Sequence, residues 1–314
     1  MNDWGRKNIP FMFIIDFEMQ KPLLFKLDEI DTNELLYNMN GFTNVSHDTH
    51  PEKKVSLDKF PISPEDYLMR FNKIKEHISA GNTYLLNLTC VTPVNINLSL
   101  KEVFYRSEAK YKLWYNDDWV CFSPETFIRI NDGVISTFPM KGTIDASVEN
   151  AAKVIIDDSK EIAEHYTIVD LMRNDLNMVA DNVRVVKFRY IEQISTNDKE
   201  LLQVSSGIEG DLRKDYIHRL GDIIYSLLPA GSVSGAPKRK TTEIISETEG
   251  YQRGYYTGIC VIFNGKDIDS CVLIRFIEKT ENGLIYKSGG GITSCSDPET
   301  EYREMIDKVY VPII

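Results

Sequence analysis

A chain of 314 residues has room for one large domain or two smaller ones, and it is long enough to bury a sizeable core. Its composition, 42% hydrophobic and 26% charged, is that of an ordinary soluble globular protein. A net charge of −11 excludes a general nucleic-acid binder or a binder of anionic membranes, and any acidic ligand would need local compensation.

In chain order, no long apolar run follows the first seven residues. Phe11 to Phe17 is too short for a secretory segment or a membrane span, so the chain reads as cytoplasmic. That same run reads as a buried strand, with Leu23 to Leu27 as its partner across a turn at Pro22. Residues 41–61 are polar, carry Pro51 and Pro61, and predict a loop. The loop holds His47 and His50, which lack clustered Cys or His partners and read as solvated rather than metal-binding. Ser63-Pro64-Glu65-Asp66 predicts a helix start, and Gly81 its end.

Thr83 to Val94, Trp119 to Ser123 and Thr126 to Ile130 read as strands. Asn131-Asp132-Gly133 then turns the chain into Val134 to Phe138. Helical periodicity covers residues 149–172 and Lys214 to Leu228, and a third helix covers Pro237 to Thr248. Tyr255 to Phe263, Ile268 to Glu278 and Leu284 to Ser288 predict a three-strand meander with turns at Asn264-Gly265 and Asn282-Gly283. Asp297-Pro298 opens a last helix ending near Pro312. Hairpins dominate, which favours a mixed α/β (α+β type) architecture with mainly antiparallel sheets. No repeat or Pro/Gly-rich linker interrupts the chain, so a single domain is expected over residues 1–314. The five cysteines, Cys90, Cys121, Cys260, Cys271 and Cys295, show no C-x-x-C spacing and read as mostly buried free thiols in a reducing compartment.

Four glutamates stand out. Glu161 and Glu164 share one helix face, and Glu301 and Glu304 repeat that spacing. Two such pairs can build an oxygen-rich site for a hard cation such as Mg²⁺, although the same spacing is common on solvated helices. Gly289-Gly290-Gly291 allows close approach of backbone to a ligand, or equally a bulge. Gly231 to Lys238 has the wrong spacing for a phosphate loop, but with Ser232 and Ser234 it leads into a helix N-terminus that can accept a carboxylate. Lys141, between Met140 and Gly142, is either a desolvated nucleophile or a surface lysine at a strand end. Arg275, flanked by Ile274 and Phe276 in the expected strand, is either a candidate for a bidentate carboxylate contact or a solvent-facing strand arginine. The carboxylates alone would also suggest a metal-dependent hydrolase, but no water activator can be placed beside them.

Taken in order, Pro139-Met140-Lys141-Gly142-Thr143, Glu161-Ile162-Ala163-Glu164-His165, Val169 to Leu176, Gly231 to Lys238, Gly289 to Ile292 and Ser296 to Glu304 resemble the chorismate-utilising enzymes. The resemblance runs from about Pro64 to Lys308. It implies two large stacked, mainly antiparallel sheets with helices outside, as in anthranilate synthase component I. Residues 1–60 would be a reduced N-terminal part and 61–314 the catalytic core. It implies chorismate as substrate and Mg²⁺ as cofactor, with Glu164 and Glu304 as ligands and Glu161 and Glu301 beside them.

The resemblance further assigns Tyr256, Arg275 and the backbone at Gly289, Gly290 and Gly291 to a substrate carboxylate, with Thr143, Ser232 and Lys308 also at the substrate. Lys141 stands where anthranilate synthases carry alanine, and Leu85 stands where isochorismate and salicylate synthases need a lysine base. This pattern is most similar to aminodeoxychorismate synthase component I. It implies attack by Lys141 at ring C2, protonation of the leaving C4 hydroxyl by Glu125, and addition of ammonia at C4. Ammonia would come from a separate glutamine amidotransferase subunit, and a separate lyase would follow on the way to 4-aminobenzoate and folate. The alternatives are anthranilate synthase component I and a catalytically silent chorismate-binding subunit. Gln203 replaces a histidine frequent in the family, which disfavours pyruvate elimination. The short N-terminal part implies no feedback by tryptophan.

Overall fold

The computed structural model describes residues 1–45, 54–195 and 200–313. His47 and His50 lie outside the described residues. The chain begins with α1 (Asn2–Arg6), β1 (Phe11–Ile15), β2 (Leu23–Lys26), β3 (Leu35–Met39), β4 (Phe42–Thr43) and β5 (Leu57–Lys59). There follow α2 (Pro64–Ser79), β6 (Leu85–Ile96), α3 (Leu100–Arg106), β7 (Tyr111–Tyr115), β8 (Trp119–Ser123), β9 (Thr126–Asn131), β10 (Val134–Thr137) and β11 (Met140–Asp145). The middle holds α4 (Ala151–Asp157), α5 (Ser159–Asn177), β12 (Asp181–Ser195), β13 (Glu200–Asp211) and α6 (Leu220–Ser226). The last part holds β14 (Gly235–Ala236), α7 (Lys238–Glu249), β15 (Ile259–Phe263), β16 (Ile268–Val272), β17 (Phe276–Thr280), β18 (Gly283–Ile292) and α8 (Pro298–Asp307).

These elements form two large antiparallel sheets with helices packed around them, as the sequence predicted. One runs β11-β13-β10-β9-β16-β15-β1-β2, with β12 also on β13; the other runs β14-β6-β18-β17-β8-β7-β3-β4, with β5 on β6. By compactness the chain divides into two units. The first comprises Met1–Phe11, Thr126–Ser232 and Ile262–Ser270; the second comprises Met12–Glu125, Val233–Val261 and Cys271–Ile314.

Several local expectations hold for the stated reasons. Ser63 caps α2 by accepting the Asp66 N–H at 3.1 Å, and Gly81 follows with φ +74. Asp132 and Gly133 both take positive φ, the geometry of a tight hairpin turn, between β9 and β10. β1 is buried at every position. Cys90, Cys121, Cys260 and Cys271 are buried, Cys295 is exposed, and all five are free thiols.

Other expectations are corrected. The helix over 149–172 is two helices, because Asp158 adopts an extended backbone and caps the second by accepting the Glu161 N–H at 2.9 Å. Lys214 to Leu228 yields a 3₁₀ turn at Tyr216–Arg219 and only the short α6. The last helix stops at Asp307 rather than near Pro312. The strand expected from Tyr255 starts only at Ile259, after Thr257 takes φ +62. The three-strand meander does not exist. The chain leaves one sheet after Val272 and joins the other at Phe276, and Arg275 between them takes φ +56 instead of lying in a strand.

In the second unit, α2, α7 and α8 bury Tyr67, Phe71, Ile244 and Met305 against Leu86, Leu88 and Ile292 of β6 and β18. Inside this layer Arg253 and Glu249 form an ion pair, with side chains 1% and 0% exposed. Arg253 Nε and one terminal nitrogen donate to the two carboxylate oxygens at 2.8 and 2.6 Å. Its remaining donors reach the carbonyls of Val233 and Asn87. Thr89 donates to Glu249 through both its N–H and its hydroxyl. Removing one member strands a buried charge. Arg253→Met is therefore expected to lower unfolding free energy by about 3–5 kcal/mol, measured by urea denaturation, and an unchanged midpoint would contradict this account of the layer.

Candidate functional site

In the first unit, β11 is not regularly paired. Met140 stands opposite Ser205 and Thr143 opposite Gln203, so Lys141 and Gly142 together face the single residue Val204. This is a β-bulge, a device that re-aims a side chain. Gly142 has φ +79, and a Cβ there would lie 3.0 Å from Glu161 Oε2. Glycine is thus required both by backbone conformation and by the approach of α5. Lys141 Nζ sits 3.3 Å from Glu164 Oε2. Thr143 is exposed.

The helix α5 carries the two glutamates one turn after its cap. Glu164 is 9% exposed. Its Oε1 lies 3.8 Å from Lys160 Nζ, and among the described residues it has no hydrogen-bond partner. Burial, and then Glu164 nearby, raise the Glu161 carboxyl above its ordinary range, against Lys141. Next to Glu164, His165 is 1% exposed and its Nε2 lies 2.7 Å from Ser206 Oγ. Burial, then Arg189 and Lys141, push its pKa down to about 4, so the ring is neutral at pH 7. The sequence reading quoted His165 within its motif but gave it no role. The available signal was phase: His165, Ile168, Val169 and Met172 fall on one buried helical stripe.

In the second unit, β18 carries the glycine run. Gly289 has no space for a side chain, since a Cβ would meet Leu88 O at 2.2 Å. A Cβ on Gly290 would instead lie 3.4 Å from Glu301 Oε2, 3.5 Å from Glu304 Oε1 and 3.6 Å from Lys308 Nζ. The bare backbone at Gly290 is therefore ringed by two carboxylates and an ammonium. Asp297 caps α8 through the Thr300 N–H at 2.9 Å, which fixes where Glu301 and Glu304 emerge. Lys308 pairs with Glu304 at 2.6 Å and donates to Gly289 O at 2.8 Å. Pairing with β17 ends at Lys287 opposite Phe276, so beyond it β18 keeps only β6 alongside among the described strands. Alternate N–H groups there face away from β6.

Tyr256 is buried, and burial raises its hydroxyl pKa. Arg275 lies over the Tyr310 ring at 5.3 Å, and its Nε is buried without a hydrogen-bond partner among the described residues. Glu125 links β8 to β9; its N–H donates to Ser123 Oγ at 3.1 Å. Ser232 lies in a 3₁₀ turn, Gly231–Val233, in the first unit and is half-buried. Leu85 is buried and pairs with Ala236.

The structure thus brings Lys141 together with Glu164, and Glu301 together with Glu304, Lys308 and Gly290. A cavity of about 240 Å³ between Asn177, Arg213, Arg219 and Ser226 contains none of the expected site residues. Among the described residues no group of three or more His, Cys, Asp or Glu side chains is arranged to hold a metal, and no helix is long and apolar enough to cross a membrane.

The family profile described as "chorismate binding enzyme" matches residues 15–313. An uncharacterized PabA-like protein of Pasteurella multocida (strain Pm70) is 50% identical over 313 residues, 99% of this chain and 97% of its own length. Anthranilate synthase component 1 of Acetivibrio thermocellus is 34% identical over 79% of this chain and 52% of its own. Aminodeoxychorismate synthase component 1 of Bacillus subtilis (strain 168) is 32% identical over 80% of this chain and 55% of its own. The chain spans about half the length of these two synthases. The crystal structure of anthranilate synthase component I from Streptococcus pneumoniae TIGR4 superposes with a TM-score of 0.68 at 25% identity, over 81% of this chain and 58% of that one.

Gly142→Ala forces a left-handed residue and a close approach to Glu161, at a cost of about 1–3 kcal/mol; calorimetric melting checks it, and a wild-type melt would refute it. His165 is held neutral in the folded state, so its contribution to stability is complete above the ordinary value of 6.5 and falls as pH drops from there toward 4. The raised Glu161 acts with the opposite sign. The test is therefore a comparison: His165→Gln should lose less stability than wild type on acidification, read by urea melts at both ends of that window.

Proposed function

The chain belongs to the chorismate-binding enzyme family, and on that premise we propose that it aminates chorismate at C4 to give 4-amino-4-deoxychorismate. The observation that carries the reading is Lys141, raised out of regular pairing by a bulge and set beside a buried carboxylate. The uncharged Lys141 amine forms a bond from Nζ to ring C2 and sheds a proton, both conjugated ring double bonds shift one position toward C4, and the C4–O bond breaks. Glu125 gives its proton to the departing hydroxyl. Ammonia then bonds to C4 and loses a proton, both double bonds shift back, and the C2–N bond to Lys141 breaks as Nζ regains a proton, which regenerates the lysine. Arg275, whose buried Nε has no hydrogen-bond partner among the described residues, grips a substrate carboxylate together with Tyr256 and the backbone at Gly290 and Gly291. Gly289, Thr143, Ser232 and Lys308 complete the substrate contacts.

The donor chemistry in each unit supports Mg²⁺ as the proposed cofactor. Glu164 offers a buried oxygen without a hydrogen bond among the described residues, and Glu301 and Glu304 face the bare Gly290 backbone. Mg²⁺ is commonly held by one or two carboxylates plus substrate oxygens and water rather than by a protein cage, which agrees with the lack of a larger ligand cluster among the described residues. The family resemblance would make Glu164 and Glu304 its ligands, with Glu161 and Glu301 as their partners, and it would offset the charge of the substrate carboxylate. The proposed partners are a glutamine amidotransferase subunit that supplies ammonia and a separate lyase that takes the product toward 4-aminobenzoate.

A second reading, anthranilate synthesis, has specific support. The Acetivibrio relative is slightly more similar than the Bacillus one, and the Streptococcus structure carries the same name. The two readings part at Lys141 and at Gln203, which cannot act as an acid or base near neutral pH. The experiment is to incubate the purified chain with chorismate, Mg²⁺ and an ammonium salt, with and without aminodeoxychorismate lyase, and to identify products by mass spectrometry. Aminodeoxychorismate, converted to 4-aminobenzoate only with lyase and lost by at least about a hundredfold in Lys141→Ala, is expected. Anthranilate would establish the second reading instead.

A further inference from the structure

One fully buried serine connects the parts of the first unit that carry Lys141 and Glu164. Ser206 donates its N–H to the Pro139 carbonyl at 3.0 Å, two residues before Lys141. Its hydroxyl oxygen accepts the Arg189 N–H at 2.9 Å and lies 2.7 Å from His165 Nε2. Arg189 is the residue at which β12 bulges, with φ +46, and one of its guanidinium nitrogens reaches Ile155 O of α4 at 3.4 Å. His165 follows Glu164 directly on α5. Ser206 and His165 are 0% and 1% exposed, so these bonds are shielded from water.

The Lys141–Glu164 contact is more open to solvent than the bonds to Ser206. At 3.3 Å, with the lysine side chain 24% exposed, it is a partly screened ion pair on a flexible stem. The bulge at Lys141–Gly142 leaves Lys141 with no residue of its own opposite on β13. The backbone anchors on either side of it help to set the separation between the ammonium and the carboxylate. One such anchor is Ser206, bonded on one side to the entry of β11 and on the other to the residue next to Glu164.

We propose that Ser206 and His165 are positioning residues that hold Lys141 against Glu164. The inference deepens the proposed amination, because it concerns the geometry of the nucleophile that reading names. The hydrogen bond to Nε2, rather than the imidazole charge, is what matters. Glutamine, whose terminal amide reaches a similar point, should replace His165, and methionine, of similar length without a strong partner for a hydroxyl, should not.

The test uses the full chain without substrate or metal. Lysines are acetylated with N-hydroxysuccinimidyl acetate, and the labelling rate of Lys141 is read by peptide mass spectrometry against that of Lys153 in the same molecule. In Ser206→Ala and His165→Met the Lys141 rate is expected to rise several-fold relative to Lys153, and His165→Gln is expected to restore the wild-type ratio. In turnover the first two should lower kcat with little change in KM. Unchanged Lys141 labelling in either variant while it remains folded overturns the positioning role. If Ser206→Ala does not fold, the His165→Met and His165→Gln pair decides alone. Labelling is read without chorismate, so it is independent of the reaction. A failure of the amination reading would show instead as normal turnover by Lys141→Ala.

Discussion

The second unit depends on one buried ion pair. Glu249 closes α7, and Arg253 lies one helical turn beyond, past the left-handed Gly250. Together they satisfy one another and spend their remaining hydrogen bonds on β6, on Thr89 and on the Val233 carbonyl. Such a pair contributes little net stability compared with a well-packed apolar replacement, but it tolerates no half-measures. It ties the end of α7 to β6. Arg253 N and Gly254 N are in turn held by the Glu18 carboxylate, and Arg253 O accepts from the buried Lys287. Lys287 lies on β18 just before the glycine run. The strand that presents Gly290 to Glu301 and Glu304 is thus tied to the same network that fixes α7.

The first unit solves the corresponding problem with neutral groups. A serine hydroxyl and an uncharged imidazole join α5 to β13, and the charged residues Lys141 and Glu164 sit just outside that join. Charge stays where it can act, and the bonds that locate it carry none. The two units thus place their glutamate pairs by different chemistry, although both rely on an aspartate cap. Asp158 and Asp297 each accept an N–H three residues on, which sets the first turn from which the glutamates project.

Much of this was legible in the sequence where local chemistry decides the outcome. Ser63-Pro64, Asp297-Pro298 and Asp132-Gly133 declare caps and turns, and the all-apolar Phe11 to Ile15 declares a buried strand. The glutamate spacing placed each pair on one face. What could not be read was long-range. The β12–β13 hairpin is rich in exposed charged residues and interrupted by register shifts, so it shows no clean alternation. Ile268 to Glu278 alternates well as one strand, yet a left-handed Arg275 divides it between two sheets. Nothing in that local pattern signals the break. The motif around Lys141 marked the lysine, but the bulge that lifts it emerges only from its register with β13.

That bulge has a consequence for how chemistry can vary on this fold. A residue that is surplus to strand pairing contributes no cross-strand side-chain pair, so its identity is largely uncoupled from the stability of the sheet. Gly142 meets the conformational demand alone. Position 141 is therefore a socket: alanine and lysine can be exchanged there without asking the scaffold to rearrange. The neighbouring glycine, the helix cap and the glutamates can then stay as they are.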